Sequence, residues 1–442
     1  MPNNNAAPKP VQIAAAVIGN ALEWYDFIVF GLLTVIISRL FFPAESQYAS
    51  LLLTTATFGV GFFMRPVGGI LLGIYADRSG RKAALILIIV LMTVAMAMIG
   101  FAPTYRTIGV AAPMLIVAAR LLQGFATGGE FAISTAFLIE SAPPRRRGLY
   151  GSWQMVGQGS AALIGALLGT LIARSLSPEA LDSWGWRIPF LVGLAIGPVG
   201  LFIRRHLEET QAFLAARSAR ALRPGFATAL ATHLRGALVS VGIVTAGTIS
   251  FYVILLYMPT FALLQLHLPL AQAFIAQSIG LVCMIALTPL FGALSDRIGR
   301  KPVMIVSLAL YLILTYPLFN WLYHNPSFGS LVIVQIVFCS LLGAFFGPSA
   351  TAVAEQFEAQ ARSTGLGIAY NMAVMIFGGF AQFFVTWLIE VTGSPIAPSF
   401  YVMFGAALGV LAAFFLVDRA RDARLLELEG ASACAERQEW AA

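Results

Sequence analysis

Charge is scarce in this chain. Asp, Glu, Lys and Arg make up 11% of its 442 residues, where a soluble globular chain carries about 25%. A soluble reading at this length needs roughly three domains, each with a polar surface, and the charges present would not cover one. Cysteine is nearly absent as well. Cys283, Cys339 and Cys434 are scattered, two of them in apolar runs, which excludes a disulfide scaffold and gives no metal-ligand spacing. The four histidines, His206, His233, His267 and His324, are equally dispersed. There is no HExxH, no Gly-x-Ser-x-Gly elbow and no P-loop, so nothing supports a membrane-embedded enzyme or a self-contained ATP-driven pump. A receptor or sensor is expected to carry an appended soluble domain, and only a short tail follows Asp418.

What the chain has in quantity is apolar side chain: 59% of residues are hydrophobic and the mean hydropathy is +0.84. A helix needs about 20 apolar residues to cross a bilayer. The sequence predicts twelve such helices, over approximately 13–38, 50–75, 83–101, 113–139, 150–173, 188–204, 236–261, 271–292, 302–323, 329–354, 364–390 and 399–417. The net charge of +7 is then explained by cytoplasmic loops rich in Lys and Arg, not by nucleic acid. With both termini in the cytoplasm, Arg39, Arg106, Arg174 and Arg187 are the cations left in external loops, and the reverse orientation would invert the positive-inside rule. Met1 to Pro10 is polar without a basic n-region, so no cleavable signal is expected and the first helix stays in the bilayer.

The chain repeats itself. Gly73-Ile74-Tyr75-Ala76-Asp77-Arg78-Ser79-Gly80-Arg81-Lys82 follows the second helix, and Gly292-Ala293-Leu294-Ser295-Asp296-Arg297-Ile298-Gly299-Arg300-Lys301 follows the eighth. A second echo pairs Glu140 and Arg147 with Glu355 and Arg362. Both recur close to half a chain length apart, so six helices repeat as six helices. The expected fold is an all-α integral membrane protein, twelve transmembrane helices arranged as two pseudo-symmetric six-helix bundles. The expected divisions are an N-terminal bundle over 1–203, a cytoplasmic linker over 204–235, a C-terminal bundle over 236–417 and a cytoplasmic tail over 418–442.

The paired Gly-x-x-x-Asp-Arg-x-Gly-Arg-Lys stretches resemble the signature of the major facilitator superfamily, as does Arg120-Leu121-Leu122-Gln123-Gly124 in the fourth helix. Further motifs resemble its metabolite:proton symporter family. They are Gly19-Asn20-Ala21-Leu22-Glu23-Trp24-Tyr25-Asp26-Phe27, Met64-Arg65-Pro66-Val67-Gly68, Gly128-Gly129-Glu130, Trp184-Gly185-Trp186-Arg187-Ile188-Pro189-Phe190, Tyr257-Met258-Pro259-Thr260, and Tyr370-Asn371 with Phe377-Gly378-Gly379. That family includes transporters for citrate, tricarballylate, 2-oxoglutarate, shikimate, and proline or betaine. Phe42-Pro43-Ala44-Glu45-Ser46, Phe58-Gly59-Val60-Gly61-Phe62 and Tyr105-Arg106-Thr107-Ile108-Gly109 look most like the citrate and tricarballylate branch. The tail is too short for the long coiled coil of the osmosensory betaine branch. Val156-Gly157-Gln158-Gly159-Ser160 also lacks the Gly-Pro pair of drug:proton antiporters. The resemblance implies a functional monomer of the inner membrane with no cofactor and no metal, the coupling ion being H+.

A charged side chain deep in the bilayer costs on the order of 3 kcal/mol or more. Five lie well inside predicted helices, all in the first half: Glu23, Asp26, Arg65, Arg120 and Glu130. The second half offers neutral groups, among them Tyr252, Tyr257, Gln277, Gln335, Tyr370, Asn371 and Gln382. The division suggests charge and proton chemistry in the first half and a substrate pocket shaped by the second. Asn20, Glu23 and Asp26 recur every three residues along one side of helix one, and Arg120, Gln123, Gly124 and Thr127 form a stripe that Glu130 continues. A buried guanidinium suits a carboxylate substrate because it offers a fork of donors and stays charged. Asp26, Glu130 and Glu23 are therefore the candidates for the coupled proton. Arg120, Gln123, Arg65, Asn20, Tyr252, Tyr257, Tyr370 and Asn371 are the candidates for substrate binding. Gly73, Asp77, Arg78, Arg81, Glu140 and Arg147, with Gly292, Asp296, Arg297, Arg300, Glu355 and Arg362, are expected to latch the cytoplasmic side, the glycines permitting tight turns and each aspartate meeting cations or a helix N-terminus. Trp184, Trp186 and Trp321 are expected in the aromatic belt, and the Phe-rich stretches on lipid-facing or packing surface. The expected cargo is a small organic anion, a di- or tricarboxylate such as citrate or tricarballylate; the alternatives are another organic acid such as 2-oxoglutarate or shikimate, or a zwitterion such as betaine or proline, for which an aromatic cage around a quaternary ammonium would speak.

Overall fold

The computed structural model describes residues 10–79, 81–128, 130–140, 142–205, 234–357 and 362–418. Most of the linker and the tail beyond Asp418 lie outside them. The described chain is helical throughout. The first span is a bent pair, Pro10–Leu32 and Thr34–Phe41, followed by Gln47–Ser79 and Arg81–Gly100. The fourth runs as Ala111–Thr127 and Glu130–Glu140 on either side of Gly128, and the fifth and sixth are Arg147–Ser175 and Arg187–Arg205. The seventh is Leu234–Ser250 continued through a wide turn, Phe251–Tyr257, into Met258–Leu264. Leu270–Ile298, Arg300–His324 and Phe328–Ala354 are the eighth to tenth. The eleventh is Arg362–Ala373, a second wide turn at Val374–Gly378 and Ala381–Thr392, and the twelfth is Ala397–Phe414. Eight of the described helices are long and apolar enough to cross a membrane, and the bent first pair makes a ninth. Large apolar side chains such as Leu71, Val94, Met114, Leu167, Ile313 and Phe404 stand exposed on the outer faces, as a bilayer-facing surface requires.

The repeat in sequence is a repeat in packing. The first span packs on the fifth as the seventh does on the eleventh, the second on the fourth as the eighth on the tenth, and the third on the sixth as the ninth on the twelfth. Two six-helix bundles result, joined most extensively where the fifth span meets the eighth and, on the opposite side, where the second meets the eleventh.

The breaks in the helices have local causes. The first span bends by 69° at Leu33, where Thr34 Oγ1 donates to the Gly31 carbonyl at 2.7 Å and the Gln382 amide donates to the same oxygen at 3.4 Å. In the seventh span Pro259 lacks an N–H and crowds the carbonyl four residues back, so the turn before it widens. Two carbonyls in that turn take donors from other helices instead, Leu255 from the Gln277 amide and Ile254 from Gln335 Nε2 at 3.3 Å. Gln277 and Gln335 therefore cap a broken helix, and neither is among the residues lining the cavity between the halves. The signature stretches also differ from a simple loop. Gly292 lies inside the eighth span, and the turn falls at Gly299, whose φ of 100° is open to glycine at little cost. Gly292 serves close packing: a Cβ there would stand 2.8 Å from the Gly148 carbonyl oxygen.

Candidate functional site

Asp26, Arg65 and Arg120 come together where the first, second and fourth spans meet. The second and fourth spans touch backbone to backbone, because a side chain on Gly124 would run into the Gly61 carbonyl. That approach brings Arg65 and Arg120 to the same wall of aromatic rings. The Arg120 guanidinium carbon stands 4.7 Å from the Phe27 centroid, 4.5 Å from Phe30 and 4.8 Å from Phe58. That of Arg65 stands 5.5 Å from Trp24, 4.9 Å from Phe27 and 4.8 Å from Phe62. Each desolvated cation–ring contact contributes up to about 2 kcal/mol, which offsets part of the cost of burying the charge.

The rings satisfy charge but not hydrogen bonding. Arg120 is 0% exposed and Nη1 donates to Gln123 Oε1 at 2.7 Å, while Gln123 Nε2 reaches Met96 Sδ at 3.3 Å. Among the described residues, Arg120 Nε and Nη2 and Arg65 Nε have no acceptor. Tyr252 comes from the other half, its ring edge-on to Phe58 at 5.7 Å and Phe62 at 5.8 Å, and its buried hydroxyl is likewise without a partner. Beside them Asp26 is 6% exposed, and its Oδ1 lacks a donor. It packs toward the third and sixth spans, where a Cβ on Gly193 would come within 3.0 Å of that oxygen. Among the described residues, neither arginine forms an ion pair with a carboxylate. A static Asp26–Arg65 bridge is therefore not what holds the first two spans together.

Between the halves lies a cavity of about 50 Å³, room for a few waters. Trp24 and Tyr252 face it from the arginine side, and Phe131, Phe251, Phe346 and Tyr370 complete an aromatic lining with Gln158. Phe131 and Tyr370 stack in parallel, centroids 3.6 Å apart at 8°. Next to this stack Asn371 Nδ2 donates to the Gly128 carbonyl at 2.7 Å, tying the eleventh span to the fourth. The halves also meet at the far end, where Gln265 Nε2 donates to Tyr48 Oη at 2.8 Å.

The end of the bundle that carries the basic loops holds a second polar cluster. Asp296 accepts from the backbone N–H groups of Gly148 at 2.8 Å and Leu149 at 2.9 Å, the unpaired amides at the start of the fifth span. Arg300 donates to the same carboxylate at 2.7 Å and to Ser295 Oγ at 2.9 Å, and approaches Glu355 at 3.6 Å. Thr351 Oγ1 donates to the Arg147 carbonyl at 2.9 Å. Arg362 is buried, with Nε donating to the Ala354 carbonyl at 3.2 Å, and Arg297 is exposed at the end of the eighth span.

The structure thus brings together Asp26, Arg65, Arg120, Gln123 and Tyr252. It places Tyr370 and Asn371 at the adjoining cavity and inter-half contact. Asn20 lies apart, exchanging hydrogen bonds with Gln154 at 2.9 and 3.2 Å, and Gln154 also accepts from Ser134. Tyr257 lies apart too, its hydroxyl 3.4 Å from Thr386 Oγ1. Glu23, Gly73, Asp77, Arg78, Arg81, Glu130 and Glu140 sit on described helices, but their side chains lie outside the described residues. Two expectations are corrected. Trp186 is fully buried against Phe41 and Phe190, held there by ring packing, while Trp184 and Trp321 are exposed. Phe27, Phe30, Phe58 and Phe62 are not generic packing surface: they carry the two guanidinium groups. Their signal in the sequence was the spacing of Phe58, Phe62 and Arg65, which sets all three on one helical face.

Comparison with known proteins agrees with this architecture. The "Sugar (and other) transporter" family model matches residues 11–223 and the "Major Facilitator Superfamily" model residues 265–440. The citrate-proton symporter of Klebsiella pneumoniae is 39% identical over 401 residues, covering 91% of this chain and 90% of its own. The proline/betaine transporter of Escherichia coli is 32% identical over 409 residues, covering 90% and 81%. Among solved structures, a proton:xylose symporter bound to 6-bromo-6-deoxy-D-glucose superposes with a TM-score of 0.74 at 20% identity, covering 91% of this chain and 94% of its own. The relatives are transporters, not enzymes, and the chain belongs to the major facilitator superfamily.

Proposed function

We propose that this protein is a proton-coupled symporter that brings a small organic anion, a di- or tricarboxylate of the citrate type, into the cell by alternating access. The observation that carries the reading is the set of buried donors without acceptors: Arg65 Nε, Arg120 Nε and Nη2, and Tyr252 Oη. Leaving one such group unpaired costs about 1–3 kcal/mol, and a substrate carboxylate would satisfy several at once. Asp26 would take the coupled proton. It shares the electrostatic field of Arg120 without bonding to it, so its ionised form and a substrate anion compete for the same cation. Protonation from outside frees Arg120 for the substrate, and loss of the proton inside weakens the site. The halves over 1–203 and 236–417 would rock about the cavity, with Asp296, Arg300 and Glu355 latching the cytoplasmic end, both termini cytoplasmic and the protein in the inner membrane. The cavity of about 50 Å³ is too small for a tricarboxylate, so loading requires the halves to part.

A second reading has its own support. The aromatic lining by Trp24, Phe251, Phe346 and Tyr370 suits a quaternary ammonium, with the carboxylate of a zwitterion such as betaine reaching Arg65. The test is uptake of labelled citrate into proteoliposomes under an inward proton gradient, with unlabelled tricarballylate, 2-oxoglutarate or betaine as competitor. Gradient-dependent uptake blocked by tricarballylate and not by betaine supports the first reading. Failure to move citrate in vesicles that accumulate betaine overturns it in favour of the second.

A further inference from the structure

The ring of Phe27 is shared by two cations. It lies 4.9 Å from the Arg65 guanidinium carbon and 4.7 Å from that of Arg120, and no other ring among the described residues touches both. The remaining contacts stagger the two arginines along the first span. Arg65 rests on Trp24 and Phe62; Arg120 rests on Phe30 and Phe58. Trp24 to Phe30 is six residues, about 9 Å of helix, with Phe27 midway. The guanidinium groups are thus displaced from each other by on the order of one helical turn, about 5 Å along the axis. A wall of apolar ring stands beside both, and no described carboxylate pairs with either.

Two like charges this close repel, and the ring relieves part of that by presenting its negative face to them. With the forks staggered, one carboxylate shared between them would give each guanidinium a single oxygen, whereas two carboxylates of one anion can each make a bidentate pair. We propose, resting on the carboxylate reading above, that Phe27 is a spacer that assigns one carboxylate of the substrate to each arginine. It thereby selects anions whose outer carboxylates are separated by a three-carbon chain over monocarboxylates. Such a chain sets its carboxyl carbons about one helical turn apart, matching the stagger. The unpaired Arg65 Nε on one side and Arg120 Nε and Nη2 on the other are the donors that each end would meet, and Tyr252 Oη serves the same anion from the second half. Phe27 acts through the arginines and is a positioning residue.

The test compares competitors of labelled citrate uptake in proteoliposomes: glutarate, succinate and butyrate, on the native protein and on Phe27→Leu and Phe27→Tyr. The native protein is expected to prefer glutarate over butyrate by at least tenfold, with succinate between. Phe27→Leu should shrink that ratio to less than threefold, and Phe27→Tyr, which keeps the ring, should retain it. The ratio is read within one preparation, so a loss of folded protein does not move it. Should Phe27→Leu leave no measurable transport, the native series and the Phe27→Tyr ratio still decide. Equal competition by butyrate and glutarate on the native protein, or an unchanged ratio in Phe27→Leu, overturns the spacer role while leaving carboxylate transport standing. Absence of citrate uptake, with no competition by any of the three acids against another cargo, is the different result that removes the carboxylate reading itself.

Discussion

Replacing Asp296 by Asn should open the end of the bundle that carries the basic loops. In the structure its carboxylate accepts from the Gly148 and Leu149 amides at 2.8 and 2.9 Å and from Arg300 at 2.7 Å. Asparagine keeps the shape and one acceptor oxygen, but turns an N–H₂ toward the other amide. The loss includes one charge-assisted hydrogen bond, about 2 kcal/mol, and the attraction of an anion to a helix N-terminus, about 1 kcal/mol. Together they favour the opened arrangement by about 3 kcal/mol, on the order of a hundredfold in population. The assay is labelling of a cysteine placed at Ser349, which lines the cavity, in a background lacking Cys283, Cys339 and Cys434. A membrane-impermeant maleimide applied from the basic side should react far faster in the Asp296→Asn variant, and reaction from the opposite side should slow. Equal labelling rates in the two proteins, with both monodisperse in detergent, would refute the assignment of Asp296 as a latch.

Other consequences are equally direct. On the proposed role of Arg120, Arg120→Ala would remove two charge-assisted bonds to a substrate carboxylate, about 3–6 kcal/mol, so binding of citrate measured by calorimetry should weaken by at least a hundredfold; near-normal affinity would place the anion elsewhere. Asp26→Asn should abolish uphill accumulation under a proton gradient while sparing exchange of internal for external substrate, and continued accumulation would exclude Asp26 as the coupling group. Burial pushes the Glu355 carboxyl above its ordinary value of 4.5, with Arg300 and Arg147 pulling against that shift. The closed end therefore holds a proton more readily than an opened end that wets Glu355. Its contribution to closure is complete below 4.5 and is lost as pH rises through the raised value. Labelling of the cavity cysteine from the basic side should accelerate with rising pH, and Glu355→Gln should flatten that dependence; an unchanged slope would mean that Glu355 stays buried in both states.

How much of this was legible in the sequence follows from which physical terms act locally. Scarcity of charge and the run lengths of apolar residues depend on the bilayer alone, so the helices fall within a few residues of the apolar segments. Asp26, Arg65 and Arg120 stood out because a buried charge needs a reason wherever it sits. The rings around the arginines did not stand out, since a phenylalanine suits lipid and core alike. Phe62 is 0% exposed over the Arg65 guanidinium, and its neighbour Phe63 is 53% exposed on the outside of the same helix. Only the packing of the second span on the first and fourth decides which is which.

Three neutral polar residues of the second half, Gln277, Gln335 and Gln382, were illegible for a related reason. A buried amide can serve a ligand or a broken backbone, and the choice depends on a helix distant in sequence. Gln277 and Gln335 meet carbonyls freed ahead of Pro259, and Gln382 meets one freed at the bend after Gly31. These are amide caps on the first and seventh spans, two of the spans that the structure breaks. A break capped by a side chain from another helix can change its angle without exposing backbone to lipid. A break left bare could not. Gln277, Gln335 and Gln382 thus direct their amides to backbone, while among the described residues Arg65, Arg120 and Tyr252 keep buried donors that the proposed substrate would meet.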